Sequence, residues 1–344
     1  MQEFPLRIGI DLMGGDTPPA TLFDAILRAA EQFSPACSYV VIATSAAINE
    51  IQQLYSSRRS LPFPSNIEFK RVLDVISMTE EPLYAISHKK NSSLVVGIRL
   101  LKKRQLDALI SAGNTGALLA CAALQLPHLP GIRRPALLVV APTLKGSVAI
   151  LDVGGNVSCK AHHLVQFAKM GAAFQNCSQE IPTPKIGLLN IGAESIKGTP
   201  IVRQAYQILQ ELSAQEEVSE SPKMQFLGNI EGREVFQGKV DVIITDGFTG
   251  NVLLKTSEGI ASVIFESLQN SLQAPVSPQL QGVLNQVRRP FNHTEYPGAI
   301  LCGLEGVVIK CHGNASPEAI FNSIKGAIKL VENQFIAKMK MRLE

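Results

Sequence analysis

The stretch Val240–Gly259, VDVIITDGFTGNVLLKTSEG, passes from a strand through a turn into a helix, and this junction decides the fold. Residues 242–244 are consecutive β-branched residues, a run typical of a strand that is buried on both faces. Apolar residues then recur at helical spacing, at Leu253, Ile260, Ile264 and Leu268. Between the two patterns we predict a polar turn that contains Asp246, Gly247, Thr249, Gly250 and Asn251.

A turn at this place suits an anion. Its glycines let a ligand approach the backbone, and the helix that follows presents unpaired N–H groups and a partial positive charge. Phosphate is an anion of this kind. A purely structural interpretation stays open, in which Thr249 or Asn251 is simply the N-cap of the helix, worth about 1 kcal/mol.

Composition and charge favour an ordinary globular protein. Hydrophobic residues make up 46% and charged residues 18% of the 344 residues, which argues against disorder. The net charge is only +3, and no basic stripe alternates with aromatic residues, so we expect no nucleic acid partner. The length allows an ample core, and we predict a single α/β domain over residues 1–344.

The cysteines and the amino terminus indicate a reducing compartment. The six cysteines form no Cys-x-x-Cys pair, and no His lies at zinc-finger spacing, so we predict free thiols and no metal site. The start, MQEFPLRIGID, lacks the apolar core of a signal peptide. No apolar run reaches the ~18 residues of a membrane span. We therefore expect a cytoplasmic protein.

Strands and helices alternate along the whole chain. We predict strands at residues 6–10, 39–43, 66–72, 107–110, 137–141, 147–151, 185–189, 225–227, 242–244 and 307–309. We predict the longer helices at residues 20–33, 46–55, 93–103, 115–126, 163–174, 200–212, 253–268 and 317–340. Residues 137–151 are expected to form a strand pair, and residues 268–297 a helical excursion. This alternation predicts a three-layer α/β/α sandwich with a mainly parallel sheet.

The dipeptide Gly-Asn recurs just after predicted strands, at residues 113–114, 155–156, 228–229, 250–251 and 313–314. Left-handed turns and helix caps explain part of this recurrence. Charged and hydroxyl residues accompany it at the same strand ends: Asp11, Asp16, Ser111, Thr115, Asp152, Glu194, Lys197, Asp246, Thr249, Lys310 and His312. If the strands are parallel, these turns converge on one polar crevice.

Several common catalytic motifs are missing from the sequence. It has no Gly-x-Gly-x-x-Gly, no Gly-x-Ser-x-Gly and no His-Glu-x-x-His, and at residues 192–199 the Lys precedes the Gly, unlike a Walker loop. Anion-binding turns without an evident nucleophile fit a reaction in which the anion itself attacks. Phosphate is nucleophilic near neutral pH, and a thiol of pKa ~8.5 is a good leaving group. Positioning can supply ~7 kcal/mol and one oxyanion donor ~3 kcal/mol.

Six segments together resemble one family. They are DLMGGD (11–16), KKNSS (89–93), SAGNTGALLA (111–120), LLNIG (188–192) with Glu194 and Lys197-Gly198, TDGFTGNVLLKT (245–256) and VIKCHGNAS (308–316). In order and spacing they are similar to the PlsX phosphate acyltransferases of bacterial phospholipid synthesis, over nearly the whole chain. Ser87, Ser158 and Cys311 depart from residues that are frequent in that family, and Cys311 argues against a thiol mechanism.

The resemblance implies an activity, a fold and partners. The activity is conversion of acyl-[acyl-carrier-protein] and inorganic phosphate to acyl phosphate and free carrier, without metal, nucleotide or other cofactor. The fold would be similar to phosphotransacetylase and to the isocitrate/isopropylmalate dehydrogenase group. The chain would form a homodimer and associate loosely with the inner face of the membrane, beside a membrane glycerol-3-phosphate acyltransferase.

With that activity in view, the polar residues take three kinds of role. We predict phosphate binding by Lys90, Ser111, Asn114, Thr115, Gly116, Lys197, Thr249 and Gly250. We predict catalytic roles for Asp246, Lys310, His312 and Asn251, with His312 or Asn314 stabilising the oxyanion. Asp246 would orient phosphate or, equally, cap the turn. Structural turn roles are predicted for Asp11, Gly14, Gly15, Asp16, Asp152 and Asn156, the two aspartates of the first turn capping the helix behind it.

Surfaces and alternative functions remain open in the sequence. An acidic carrier protein would dock on a basic patch, and the candidates are Arg133-Arg134, Lys102–Arg104 and Arg288-Arg289. The excursion at residues 268–297 would contact either the membrane or a second copy of the chain. One alternative function is an NAD-dependent dehydrogenase of the same fold group. Another is a non-catalytic protein that binds the carrier.

Overall fold

The structure, a computed structural model, describes residues 5–58, 63–217, 223–271, 282 and 298–344. It divides into two compact units, Met1–Pro135 with Tyr296–Lys340, and Ala136–Glu295 with Met341–Glu344. The prediction of one domain over residues 1–344 stays a prediction. Most of the excursion predicted at residues 268–297 lies outside the described residues.

The strands follow the predicted alternation closely. They are β1 Leu6–Asp11, β2 Cys37–Thr44, β3 Ile67–Val72, β4 Ala108–Ser111, β5 Ala136–Thr143, β6 Gly146–Leu151, β7 Lys185–Asn190, β8 Gln225–Glu231, β9 Val242–Ile244, β10 Ala299–Cys302 and β11 Val307–Lys310. The α-helices are α1 Pro19–Gln32, α2 Ser45–Arg58, α3 Pro82–His88, α4 Ser93–Lys102, α5 Thr115–Gln125, α6 Ala161–Gln179, α7 Pro200–Glu217, α8 Gly247–Ser271, α9 Pro317–Glu332 and α10 Phe335–Leu343.

In the first unit the strand order is β3-β2-β1-β4-β11-β10. All neighbours are parallel except β10 and β11, which pair antiparallel. Aliphatic runs such as residues 108–110 are fully buried, as expected for strands covered on both faces. Helices α1 and α9 pack on each other and on the strands, and α4 packs on α5 and on β1, β2 and β4.

In the second unit the strand order is β5-β6-β9-β7-β8. Strands β5 and β6 form the predicted antiparallel pair, and the other neighbours are parallel. Helices α6 and α7 pack together beside these strands, while α8 contacts β6. The predicted α/β class with a mainly parallel sheet is therefore confirmed.

Four local predictions are wrong. Strand β10 was missed, because a four-residue strand between two glycines leaves a weak pattern. Strand β8 runs through Gly228-Asn229 with a register irregularity opposite β7, so this Gly-Asn pair does not follow a strand. The predicted helix 317–340 breaks at Gln334, whose φ is 52°. The turn predicted at residues 246–251 is helical from Gly247 onward.

Helix α8 leaves several apolar side chains uncovered. Val263, Ile260 and Ile264 are 63%, 56% and 52% exposed. None of the helices that the structure describes is both long and apolar enough to cross a membrane.

Helix α8 approaches the loop after β6 so closely that Gly250 tolerates no side chain. A Cβ on Gly250 would lie 1.9 Å from the carbonyl oxygen of Asp152. We expect Gly250→Ala to lower the free energy of unfolding by about 2 kcal/mol or more, because backbone must move to accept the methyl group. Denaturant unfolding of the purified variant measures this.

Gly259 provides the matched control in the same helix. A Cβ there would meet nothing within 4 Å. Gly259→Ala should raise stability by about 0.5–1 kcal/mol, since alanine loses less backbone entropy than glycine in a helix. Equal stabilities of the two variants would contradict the close packing of α8.

Candidate active site

In the first unit, three polar residues end three neighbouring parallel strands in the same register. Asp11 lies beside Ser111, and Ser111 lies beside Lys310. All three side chains are buried. Ser111 Oγ donates to Asp11 Oδ2 at 2.8 Å, and the Met13 N–H donates to Asp11 Oδ1 at 3.1 Å. The register of the sheet thus brings a carboxylate, a hydroxyl and an ammonium to one edge.

Burial dominates the electrostatics of this row. Desolvation raises the pKa of Asp11 from 3.8 to about 6, and hydrogen bonds from Ser93 and Ser111 and the charge of Lys310 act in the opposite direction. Lys310 Nζ donates to the carbonyl of Cys311. A lysine with an exposed fraction of only 6% is rare without an anionic neighbour or ligand.

The turn after β1 lies directly against the turn after β11. The N–H groups of Asp16 and Thr17 donate to the carbonyl of Gly313, at 2.7 and 3.3 Å. Gly14 has φ +76°, and a Cβ on Gly15 would lie 2.7 Å from that same carbonyl. The structural role predicted for this turn therefore has a clear geometry. The capping explanation is wrong, because Pro18 is the N-cap of α1 and no side chain caps it.

Helix α5 begins at this edge and Asn114 is its N-cap. Asn114 Oδ1 accepts from the N–H of Ala117 at 3.0 Å. Its Nδ2 donates to the carbonyls of Ser77, Met78 and Glu80, at 3.1 to 3.3 Å. The amide of Asn114 is thus fully used in holding the loop before α3. Ser111 is engaged in the same way, because its Oγ also accepts from the N–H of Gly113 at 3.2 Å.

Thr115 and Gly116 differ from Asn114 in having unused donors. They are the first two residues of α5, and their N–H groups meet no acceptor among the described residues. Gly116 is exposed, and a Cβ there would lie 2.6 Å from Pro82 Cγ. These two N–H groups could accept an anion, and the phosphate binding predicted for Thr115 and Gly116 stays a prediction.

The remaining candidates of the first unit lie at its surface. His312 and Asn314 are exposed in the turn after β11. His312 also has an interaction partner in the protein. Lys90 is exposed, and its carbonyl accepts from Arg99 Nη2 at 2.6 Å. Cys311 is buried, and burial raises the pKa of its thiol. A protonated, buried thiol is a poor nucleophile.

In the second unit, the Asp152 carboxylate organises the loop after β6. It accepts from the N–H groups of Leu137, Gly155 and Asn156, at 3.0, 2.9 and 2.5 Å. Asn156 Nδ2 also donates to it at 2.8 Å. Burial raises the pKa of Asp152 while these hydrogen bonds lower it. The structural role predicted for Asp152 and Asn156 matches these contacts.

Helix α8 begins on top of this loop. The Gly247 N–H donates to the carbonyl of Asn156 at 2.8 Å. Asp246 caps the helix, because its carboxylate accepts from the N–H and the Oγ1 of Thr249, at 2.8 and 3.0 Å. Thr249 and Asn251 are exposed, and the Asn251 side chain lies over Gly154. Of the two roles predicted for Asp246, the contacts favour capping.

Lys197 lies in the exposed loop after β7. Its N–H donates to the carbonyl of Glu194 at 3.1 Å, and its own carbonyl accepts from Asn190 Nδ2 at 3.2 Å. Asn229 Nδ2 holds the same loop through the carbonyl of Glu194 at 2.9 Å. These hydrogen bonds therefore fix the backbone of the loop that contains Lys197.

Within each unit the predicted polar turns gather at the carboxyl edge of its strands. Their convergence on a single crevice stays a prediction. The sequence analysis did not name Ser93 as a site residue. Its side chain hydrogen-bonds to Asp11, and it lies in the KKNSS segment (89–93). No group of three His, Cys, Asp or Glu side chains that could hold a metal occurs in the part of the chain that the structure describes.

Comparisons with known proteins show the fold and the family of the chain. A family model described as fatty acid synthesis protein matches residues 6–338. The phosphate acyltransferase of Thermoanaerobacter pseudethanolicus is 40% identical, over 98% of both chains, and that of Chlamydia pneumoniae is 39% identical, over 98% of this chain and 99% of its own. A phosphotransacetylase structure from Streptococcus pyogenes superposes with a TM-score of 0.63 at 17% identity, covering 96% of this chain and 94% of that one.

The fold is thus that of an α/β protein of the phosphotransacetylase kind, with polar turns at the carboxyl ends of parallel strands. The match of the family model over nearly the whole chain and the identity to curated relatives make the assignment specific. The chain belongs to the PlsX family of phosphate acyltransferases, and it is an acyltransferase.

The raised pKa of Asp11 generates a prediction about stability and pH. A carboxyl group whose pKa is about 6 when folded and 3.8 when unfolded stabilises the fold below pH 3.8 and loses that contribution as the pH rises through 6. Asp11→Asn lacks this titration. From pH 4 to pH 7 the wild type should therefore lose on the order of 3 kcal/mol relative to Asp11→Asn.

Urea unfolding of both proteins at pH 4, 5, 6 and 7 measures this difference. Asp16→Asn is the control, since Asp16 is an exposed carboxylate of the same turn. A stability difference between wild type and Asp11→Asn that does not vary with pH would show that Asp11 titrates at its ordinary pKa.

Proposed function

We propose that this acyltransferase moves the acyl group of an acyl-[acyl-carrier-protein] onto inorganic phosphate, and that the acyl phosphate feeds phospholipid synthesis. The observation that supports the proposal lies at the carboxyl edge of the first unit: the two N–H groups at the start of α5 meet no acceptor among the described residues, and they closely follow Ser111 of the Asp11, Ser111 and Lys310 row. Membership of the phosphate acyltransferase family supports it.

In the proposed reaction, phosphate is the nucleophile. The N–H groups of Thr115 and Gly116 hold it, and the positive charge of Lys310 favours the dianion at this edge. A phosphate oxygen attacks the thioester carbon and forms the new C–O bond. The C–S bond then breaks, and its electron pair leaves with the carrier thiolate, which takes up a proton.

The other predicted residues fit supporting or stabilising roles. Ser111, Asn114 and Asp246 hold the turns in place through the contacts described above. We propose that His312 or Asn314 donates to the oxyanion, and that the side chain of Asn251 binds a substrate group at the start of α8. The N–H of Gly250 donates to the Asp246 carbonyl and Thr249 donates to the Asp246 carboxylate, so the phosphate contacts predicted for these two residues would require the release of those hydrogen bonds. Lys90 and Lys197 would add positive charge.

The burial of two nucleophile candidates at the carboxyl edge of the first unit supports direct attack by phosphate. The hydroxyl of Ser111 is fully buried and bonded to Asp11, and the thiol of Cys311 is buried with a raised pKa. Neither could form a covalent acyl-enzyme without rearrangement of the edge. Family membership also favours an acyltransferase over the alternative of an NAD-dependent dehydrogenase, and over a non-catalytic carrier-binding protein.

On the family argument we further propose a cytoplasmic homodimer that works without a cofactor at the inner face of the membrane. It would hand acyl phosphate to a membrane glycerol-3-phosphate acyltransferase. Light scattering tests the dimer, and liposome flotation of the purified protein tests the membrane association.

The test of the activity is phosphate dependence. Acyl-carrier thioester should be consumed only when phosphate is present, and labelled phosphate should appear in the acyl phosphate product in equal amount. Asn251→Ala should lower turnover about a hundredfold if Asn251 donates to a group that becomes charged in the transition state. Asn251 is exposed, so the variant should melt like the wild type.

Thr256→Ala is the control, since Thr256 is an exposed polar residue of the same helix. It should leave turnover unchanged. Near-normal activity of Asn251→Ala would remove Asn251 from the site, whereas thioester loss that does not depend on phosphate would refute the activity itself.

A further inference from the structure

A basic pocket of about 340 Å³ lies in the first unit, and none of the candidate site residues lines it. It is formed by the carboxyl end of β3, residue 91 and one face of α4. Four of the side chains that line it are cationic: Lys70, Arg71, Arg99 and Lys103. No Asp or Glu is among the described residues that line it. Leu73, which is 81% exposed, adds an apolar contact.

These positive charges lack acidic partners. Lys70, Arg71 and Lys103 form no ion pair with any residue in the described ranges. Arg99 donates to the carbonyl of Lys90, which leaves its charge unbalanced. Like charges around one pocket repel one another, so an anionic partner would be bound favourably.

Protection of a sheet edge does not explain the cluster. Strand β3 is the last strand in the order of its unit, and charged residues on such strands prevent edge-to-edge pairing. That argument covers Lys70 and Arg71. Arg99 and Lys103 belong to α4 and to its C-cap, where they protect no strand edge.

The pocket is joined to the candidate site through the segment that precedes α4. The N–H groups of Leu73 and Asp74 donate to the carbonyl of Asn91, at 3.3 and 3.4 Å. Two residues further on, Ser93 hydrogen-bonds to Asp11 of the buried row. A partner seated in this pocket would therefore lie close to the carboxyl edge where we place the reaction.

We propose that this pocket docks an acidic face of the protein that carries the acyl thioester. The inference rests on the proposed function, which requires a protein-borne substrate. Four unbalanced cations steer an acidic surface, and a concave pocket with an exposed leucine receives a protruding apolar side chain. A flat anionic bilayer fits a concave pocket less well.

The sequence suggested three basic patches as docking sites. One of them, Lys102–Arg104, contributes Lys103 to the proposed docking surface. Arg133 and Arg134 each already have an interaction partner. Arg288-Arg289 lies outside the described residues.

The test compares two double charge reversals of equal charge change. Arg71→Glu with Lys103→Glu alters the pocket, and Lys325→Glu with Lys338→Glu alters exposed lysines of α9 and α10. At about 50 mM salt we expect the pocket variant to raise the KM for acyl-carrier about tenfold or more, and the control variant to change it less than about twofold. kcat and the KM for phosphate should stay unchanged in both.

Salt provides an internal check. Screening shortens the range of charge interactions from about 10 Å at 0.1 M to about 3 Å at 1 M, so the two variants should converge as salt rises. Equal KM values for acyl-carrier at low salt would overturn the docking proposal. So would a pocket variant that loses binding to vesicles with anionic lipid while it binds carrier normally.

Binding of the free carrier protein, measured by calorimetry, separates the docking proposal from the proposed function. If the wild type makes no acyl phosphate yet binds carrier, and the pocket variant does not bind it, the activity is refuted and the docking surface is supported. If the wild type makes acyl phosphate and both variants bind carrier equally, the docking surface is refuted and the activity stands. Since Arg71 and Lys103 are exposed, matching melting temperatures should confirm that the pocket variant is folded.

Discussion

The candidate site of the first unit depends on the register of three parallel strands, which places Asp11, Ser111 and Lys310 in one row. A slip of one residue would turn these side chains to the other face of the sheet and separate them. A buried carboxylate alone would be strongly disfavoured, and a buried ammonium likewise. Desolvation raises the pKa of Asp11, but the hydrogen bonds from Ser93, Ser111 and Met13, and to a smaller extent the charge of Lys310, hold it to about 6.

In the second unit a buried carboxylate is stabilised by hydrogen bonds alone. Asp152 is as deeply buried as Asp11, but three backbone N–H groups and the amide of Asn156 surround its carboxylate. Such a cluster of donors favours the charged form and fixes the loop. The loop in turn provides the surface on which α8 begins, through the contact of Gly247 with Asn156 and the close approach of Gly250. The first unit thus holds its buried carboxylate with hydroxyl groups and a nearby lysine, whereas the second holds its carboxylate with backbone N–H groups and an amide.

The sequence predicted the architecture well, because its main signals are local. The strand at residues 242–244 and the paired strands of residues 137–151 can be predicted from the periodicity of their hydrophobic residues and from the turn residues that flank them. Tertiary contacts are what local pattern cannot supply. The local sequence predicts Asn114 as a phosphate ligand. In the structure its amide donates instead to backbone carbonyls some thirty-five residues earlier in the chain. Strand β10 is stabilised by its antiparallel pairing with β11, and its four residues contain no local pattern that predicts this pairing.

The polar residues of these edges divide by burial into two groups. Asp11, Ser111, Asn114 and Asp152 are buried, and their hydrogen bonds hold the turns together. Thr115 and Gly116 stand at the start of α5, half-buried or exposed, with backbone N–H groups that meet no acceptor among the described residues, and the side chain of Asn251 is exposed near the start of α8. Rigid turns that carry unpaired donors need little reorganisation when an anion arrives, and this is the condition under which hydrogen bonds lower a barrier most. Substitutions in the first group should therefore alter stability and activity together, whereas a substitution of the exposed Asn251 side chain should alter activity alone.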